Sequence, residues 1–239
     1  MINPADKKSF DQRFFLIRTL DKERLVSETE QTDLTIMDAD KGCFFSLFED
    51  TYYVKEKNQY QEMSEDFSKP LDYTVTELTC LCMETGHTGH IEWEYDDELE
   101  VFITLDQTNF KRLTDDEGQP IDEDDLEQIV EDEDTIIYAG EAFHYDDDWA
   151  AVYTREGKQE QVYLYEFINE PGTLTITIEE WTGDGKDEYR IYIAKKVIPG
   201  EITILSRGLP DPENESGTDP DNNQDAETND TPKEAQPDA

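Results

Sequence analysis

The sequence predicts a mainly antiparallel β domain, a barrel or sandwich of short strands, with a short N-terminal helix, one internal helix and a disordered acidic C-terminal tail. Three observations predict it. Past Leu34 the chain becomes a succession of short segments in which apolar and polar residues alternate, rich in Val, Ile, Tyr, Phe and Thr and parted by Gly, Asp and Asn clusters. Of the 239 residues, 35% are hydrophobic and 11% aromatic, enough for the core of one domain of ordinary size. From Gly208 onward, "GLPDPENESGTDPDNNQDAETNDTPKEAQPDA" has no aromatic residue and holds half of the 10 prolines, so it cannot bury enough apolar surface to offset its ordering entropy. The expected organisation is a helical segment over 1–29, a β domain over 30–207 and a tail over 208–239.

The elements follow in order. In "SFDQRFFLIRTLDKERL", Phe10, Phe14, Ile17 and Leu20 fall on one face at helical spacing. "DLTIMD" and "CFFSLFEDTYYVKEK" read as strands broken at "DADKG" and near "FED", where Asp and Gly supply turn conformations. "MSEDFSKPLD" is a connection, "YTVTELTCLCME" a strand, and "TGHTG" a turn into the hairpin "HIEWEYDDELEVFITL". One helix interrupts the β pattern in "QPIDEDDLEQIVEDED". Ile121, Leu126, Ile129 and Val130 form its stripe and Asp122 its N-cap, while the acids at its far end oppose the helix dipole and keep it short. Then "TIIYAG", "EAFHYDDD", "WAAVYTRE", "QVYLYEFI", "TLTITIEEW" and "EYRIYIAKKVI" are short strands separated by the turns "EGKQ", "NEPG" and "TGDGK". No internal repeat is evident, although each half could form a small sheet of its own.

Within the hairpin, register arithmetic pairs Tyr95 with Leu99, Trp93 with Val101 and Ile91 with Ile103, which makes one continuous apolar stripe. The same register sets Glu94 opposite Glu100, a like-charge pairing that costs only about 0.2–1 kcal/mol. Glu92, Glu94, Asp96, Asp97, Glu98 and Glu100 therefore form a candidate acidic interaction face, read most simply as the wet side of a half-buried sheet.

Charge narrows the function. Against 61 acidic residues stand 20 basic ones, a net charge of -41, which repels phosphate backbones and anionic lipid. The expected partners are a basic protein or small cations such as polyamines or divalent metals, with no direct nucleic-acid binding and no membrane insertion. Mimicry of nucleic acid is a further alternative, and adaptation to high salt a lesser one. The start lacks a signal peptide's apolar run, no segment approaches the roughly 18 apolar residues of a membrane span, and Cys43, Cys80 and Cys82 are too few for a disulfide framework. The expectation is a cytoplasmic protein, in which the sequons "NES" and "NDT" carry no meaning.

Catalytic and metal motifs are not found. No nucleophile elbow, phosphate loop, dinucleotide fingerprint or zinc-protease signature occurs. A catalytic carboxylate pair can be placed almost anywhere in so acidic a chain and so is not nominated. "DADKG", "DDEGQPIDEDD" and "YDDDW" lack the acid spacing of a calcium loop. In "CLCMETGHTGH", Cys80 and Cys82 are one residue apart in a strand, almost 7 Å along one face, where zinc sites prefer a tight turn. They read as buried structural cysteines, and His144 as a strand-end residue. No catalytic residue, cofactor or metal is expected, and the chain reads as a non-catalytic binding protein.

Two stretches carry a resemblance. "LTIMDADKGCFFSLFEDTYYVKEKNQY" followed by "ELTCLCMETGHTGHIEWEYDDELEVFIT", and "GEAFHYDDDWAAVYTREGKQEQVYLYEF" followed by "LTITIEEW", together resemble the bacterial domain-of-unknown-function family 4178 over residues 30–205. The resemblance implies a mostly β fold and a bacterial source. It implies no catalytic residues, so it gives no role to Trp93, Asp96, Asp97 or Trp181.

Overall fold

The computed structural model describes residues 4–182 and 188–210. It contains α1 (Pro4–Arg18), α2 (Glu28–Gln31), β1 (Phe44–Leu47), β2 (Asp50–Met63), β3 (Pro70–Cys82), β4 (Thr88–Tyr95), β5 (Leu99–Thr108) and β6 (Leu113–Thr114). After these come α3 (Leu126–Glu131), β7 (Thr135–Tyr138), β8 (Glu141–Arg155), β9 (Lys158–Asn169), β10 (Leu174–Trp181), β11 (Glu188–Val197) and β12 (Ile202–Ser206).

The mainly antiparallel β architecture is as the alternation predicts. β2 to β5 are consecutive antiparallel neighbours, and so are β8 to β11. Two further antiparallel pairings join these runs: β5 with β11, and the end of β2 with the end of β8. Eight strands thereby close into a barrel, which removes the open edges a flat sheet would present. The first residues of β2 and β8 pair instead with β1 and β7, so each long strand starts in an outer layer and finishes in the barrel wall.

The two halves repeat one plan that identities in the sequence conceal. Strands of 4, 14, 13, 8 and 10 residues make up the first half, and strands of 4, 15, 12, 8 and 10 the second. Each fifth strand leads through a 3-10 turn to a short strand that pairs with the first strand of the other half, β6 with β7 and β12 with β1. Strand length, turn placement and inward–outward alternation hold this plan in common, and none of them requires the same residues.

A bulge in each long strand exchanges the faces. In β2 the register shifts between Val54 and Glu56, so Val54 joins the outer core while Asn58 and Tyr60 point inward. In β8 the shift lies between Tyr145 and Asp147, putting Phe143 outside and Trp149, Ala151 and Tyr153 inside. The outer face of the first half is buried through Phe45, Leu47, Leu78, Ile91, Val101 and Ile204. That of the second is buried through Phe143, Phe167, Ile176, Ile178 and Ile191 beneath Leu126 and Ile129 of α3. The barrel lumen holds a third, largely aromatic cluster around Tyr60, Trp149, Tyr153, Leu164 and Trp181, and shares its remaining space with a polar set.

Three local expectations change. The N-terminal helix forms, but Phe10, Phe14 and Ile17 are exposed; its docked side is Leu16 and Leu20 against Phe44, Leu81 and Met83, clamped by Arg13 donating to the carbonyls of Met83 and Glu84. The turn beneath it needs Gly86, whose φ of +78 and contact with Ser9 leave no room for a Cβ. Asp125, not Asp122, holds the N-cap position of α3, because Asp122 is spent accepting the Asp124 N–H in the preceding turn. The chain is still docked past Gly208, with the Leu209 N–H donating to the Lys41 carbonyl at 2.7 Å. The remainder of the tail from residue 211, and most of the turn "TGDGK", lie outside the described residues.

Candidate functional site

The hairpin has the register its apolar stripe requires: Tyr95 faces Leu99, Trp93 faces Val101, Ile91 faces Ile103 and Glu94 faces Glu100. The stripe packs on the outer core, so alternation turns His90, Glu92, Glu94 and Glu100 toward the barrel lumen. This overturns the wet-face expectation for these residues. The sequence identifies one buried face correctly, but the other is enclosed too, by strands some 50 to 90 residues away that alternation within the hairpin does not reveal. The six candidate residues therefore divide. Glu92, Glu94 and Glu100 line an interior cleft, while Asp96, Asp97 and Glu98 are exposed at the hairpin tip.

At one end of the lumen a polar network is closed. Glu77 on β3 accepts from Asn58 Nδ2 at 2.8 Å and from Tyr153 Oη at 2.7 Å, while His90 Nδ1 lies 2.9 Å from its other oxygen. Burial alone pushes the Glu77 carboxyl up, but the His90 contact and these donors outweigh it and hold it below its usual range. Burial likewise works against the His90 cation, and the contact with and charge of Glu77 outweigh it, so His90 is raised. Across the barrel, Glu179 on β10 accepts from Tyr60 Oη at 2.7 Å and Trp181 Nε1 at 2.8 Å. Burial dominates there and carries Glu179 up to about 7.

Toward the other end the carboxylates outnumber their partners. A cleft of about 120 Å³ is lined by Glu92, Glu94, Glu100, Asp146 and Glu166, with Phe102 on one wall and Lys196 as the one cation among its described lining residues. Lys196 Nζ sits 2.5 Å from Glu100 Oε1. Burial raises Glu166 to about 8, with Glu94, Asp147 and Asp146 adding repulsion, and the Trp149 indole opposes the rise. Burial raises Glu94 to about 6, reinforced by Glu100 and partly offset by Lys196. Glu92 is pushed well up by burial and by Glu77, Glu179 and Glu166, and Asp146 is raised by burial and by its acidic neighbours. At neutral pH Glu166, raised to about 8, therefore keeps its proton for the most part, whereas Glu94, at about 6, is largely ionised.

Sequence reasoning did not nominate Glu77, Asp146, Glu166 or Glu179. A signal existed for one of them: Glu166 in "YLYEFI" is a lone carboxylate in a strand apolar on both sides, which points to an enclosed polar space. All three cysteines are buried, and Cys80 packs among Leu78, Ile91 and Val101. His144 Nδ1 lies 3.0 Å from Thr135 Oγ1 at the β7–β8 pairing. Among the described residues, no helix is long and apolar enough to cross a membrane.

Comparison with curated proteins and with solved structures finds no match. Residues 40–199 match the model of a domain of unknown function, DUF4178, a span that begins just before β1 and ends just after β11 and so takes in both halves of the barrel. The chain belongs to the DUF4178 family.

Proposed function

We propose that the domain is a non-catalytic binding module that takes a small organic polycation of the polyamine class in the acidic cleft of its barrel. The observation that carries this reading is the imbalance of the cleft, five carboxylates against the single ammonium of Lys196. That ammonium also illustrates the chemistry, since it meets Glu100 while lying 5.9 Å from the centre of the Phe102 ring. An extended cation suits the cleft better than one metal ion. Among the described residues, the only set of three possible ligands with donor atoms within 4.8 Å of one another lies elsewhere, at Asp50, Cys82 and Glu84. A cytoplasmic location is part of the proposal, supported by three cysteines left unpaired.

A second reading, docking on a basic protein, is favoured by the hairpin tip. Asp96, Asp97 and Glu98 are exposed there and form no ion pair among the described residues. Calorimetric titration with spermidine separates the two. The cleft reading expects saturable binding at one site, weakened in Glu94→Gln and Glu166→Gln and retained when Asp96, Asp97 and Glu98 are neutralised. Heat that never saturates, or that disappears only with the tip substitutions, would overturn it.

A further inference from the structure

The strand end beneath α1 gathers a different set of ligands on the face turned away from Leu81 and Met83. In the β2–β3 ladder Tyr52 stands directly across from Cys82, and the next step is continued by the Met83 N–H donating to the Thr51 carbonyl at 2.7 Å. Alternation then places Asp50, Cys82 and Glu84 on one face, the first from one strand and the other two from its neighbour. Their donor atoms, one sulfur and one oxygen from each carboxylate, lie within 4.8 Å of one another. The spacing of the two cysteines in the sequence hides this set, because Cys80 is not part of it and the partners are acids.

We propose that Asp50, Cys82 and Glu84 bind a borderline divalent transition-metal ion of the Zn²⁺ class. The Cys82 Sγ to Glu84 Oε2 distance is 3.6 Å. Two ligands at Zn–S of about 2.3 Å and Zn–O of about 2.0 Å subtend a tetrahedral edge of about 3.5 Å, so the pair is already spaced for one ion. Cys82 is only 7% exposed, and among the described residues its thiol has no hydrogen-bond partner outside this cluster. Neither Asp50 nor Glu84 forms an ion pair among the described residues. The Thr51 N–H, donating to Glu84 Oε2 at 2.9 Å, fixes that carboxylate as an outer-shell partner does. Asp50, Cys82 and His87 line a common cavity of about 380 Å³, which gives an ion an entry path and room for water on its open side. Binding exchanges the thiol proton, which leaves to solvent, for the metal–sulfur bond.

The test is a Co²⁺ titration of the full chain, kept reduced, with excess Mg²⁺ present to occupy exposed carboxylates. The expected result is thiolate-to-cobalt charge-transfer absorption that saturates at one ion per chain and is displaced by Zn²⁺. It should be absent in Cys82→Ser, unchanged in Cys80→Ser and at least tenfold weaker in Glu84→Gln, on the scale of losing one metal ligand. Glu84 is an exposed turn residue, so its variant keeps the fold and the comparison stays interpretable. No charge-transfer band, a band that persists in Cys82→Ser, or an affinity unmoved in Glu84→Gln would overturn the assignment.

Discussion

Tyr60 and Glu179 are 119 residues apart in the chain and are joined by a 2.7 Å hydrogen bond, from β2 of the first half to β10 of the second. The bond spans the lumen. Removing the hydroxyl in Tyr60→Phe leaves Glu179 with only Trp181 as a donor in a buried site. A loss of about 1–3 kcal/mol is expected from the unsatisfied acceptor. It should be larger at pH 8, where Glu179 must ionise, than at pH 5. Urea unfolding at the two pH values measures this, and an equal loss at both would show that Glu179 does not titrate in the folded protein.

Glu166 supplies the sharpest pH dependence. Its folded value of about 8 lies above the ordinary carboxylate range, so between about 4.5 and 8 the native state holds a proton that the unfolded chain has released. Stability from this group is complete at acid pH and is lost as pH rises through that window. Glu166→Gln should therefore raise the thermal midpoint at pH 8 and leave it nearly unchanged at pH 4. A variant that melts lower at pH 8 would mean that the ionised carboxylate is held by partners.

The two members of the Glu77–His90 pair have signs opposite to each other. Glu77, lowered, gives stability that is present above its unfolded range and lost as pH falls through its folded value. His90, raised, gives stability that is full below about 6.5 and lost as pH climbs through its folded value. NMR titration should find His90 above the ordinary imidazole range in the wild type and lower in Glu77→Gln. Breaking a buried pair from one side costs about 3–5 kcal/mol, and the partial exposure of His90 puts this case toward the low end. A His90 titration that ignores the substitution would remove the pair from the account.

On the hairpin, Trp93→Ala should cost about 2–3 kcal/mol by denaturant unfolding, less than a fully enclosed aromatic because Trp93 is half-buried. Glu94→Gln should be neutral at pH 5 and stabilising above pH 6, where the carboxylate otherwise ionises beside Glu100. A destabilised Glu94→Gln protein would contradict the crowding described for the cleft.

The local pairing of the barrel could be read from the sequence, but its enclosure could not. Ile91, Trp93, Val101 and Ile103 fix the hairpin register because a one-residue slip would turn all of them to the wrong side. No comparable local rule says what stands over Glu92, because Glu166 and Glu179 arrive from β9 and β10 through pairings distant in the chain. The bulges at Val54 and Tyr145 are also invisible to a strict alternation of two, and they decide that Tyr60 and Trp149 face the lumen. Phe10, Phe14 and Ile17 mislead for a related reason: helical spacing shows an apolar stripe but not which side meets Leu81 and Met83. Glu77 was missed because "VTELTCLC" reads as a strand with one solvent-facing acid, while its true neighbours are Asn58, His90 and Tyr153.

The central claim is that the cleft carboxylates hold protons which an organic cation displaces. The most direct measurement is the number of protons released when spermidine binds the full chain at pH 7, obtained by calorimetry in buffers of different ionisation enthalpy. The account predicts net proton release, reduced in Glu166→Gln, because Glu166 is still largely protonated at that pH. Binding without proton release, or release of the same size in Glu166→Gln, would contradict it.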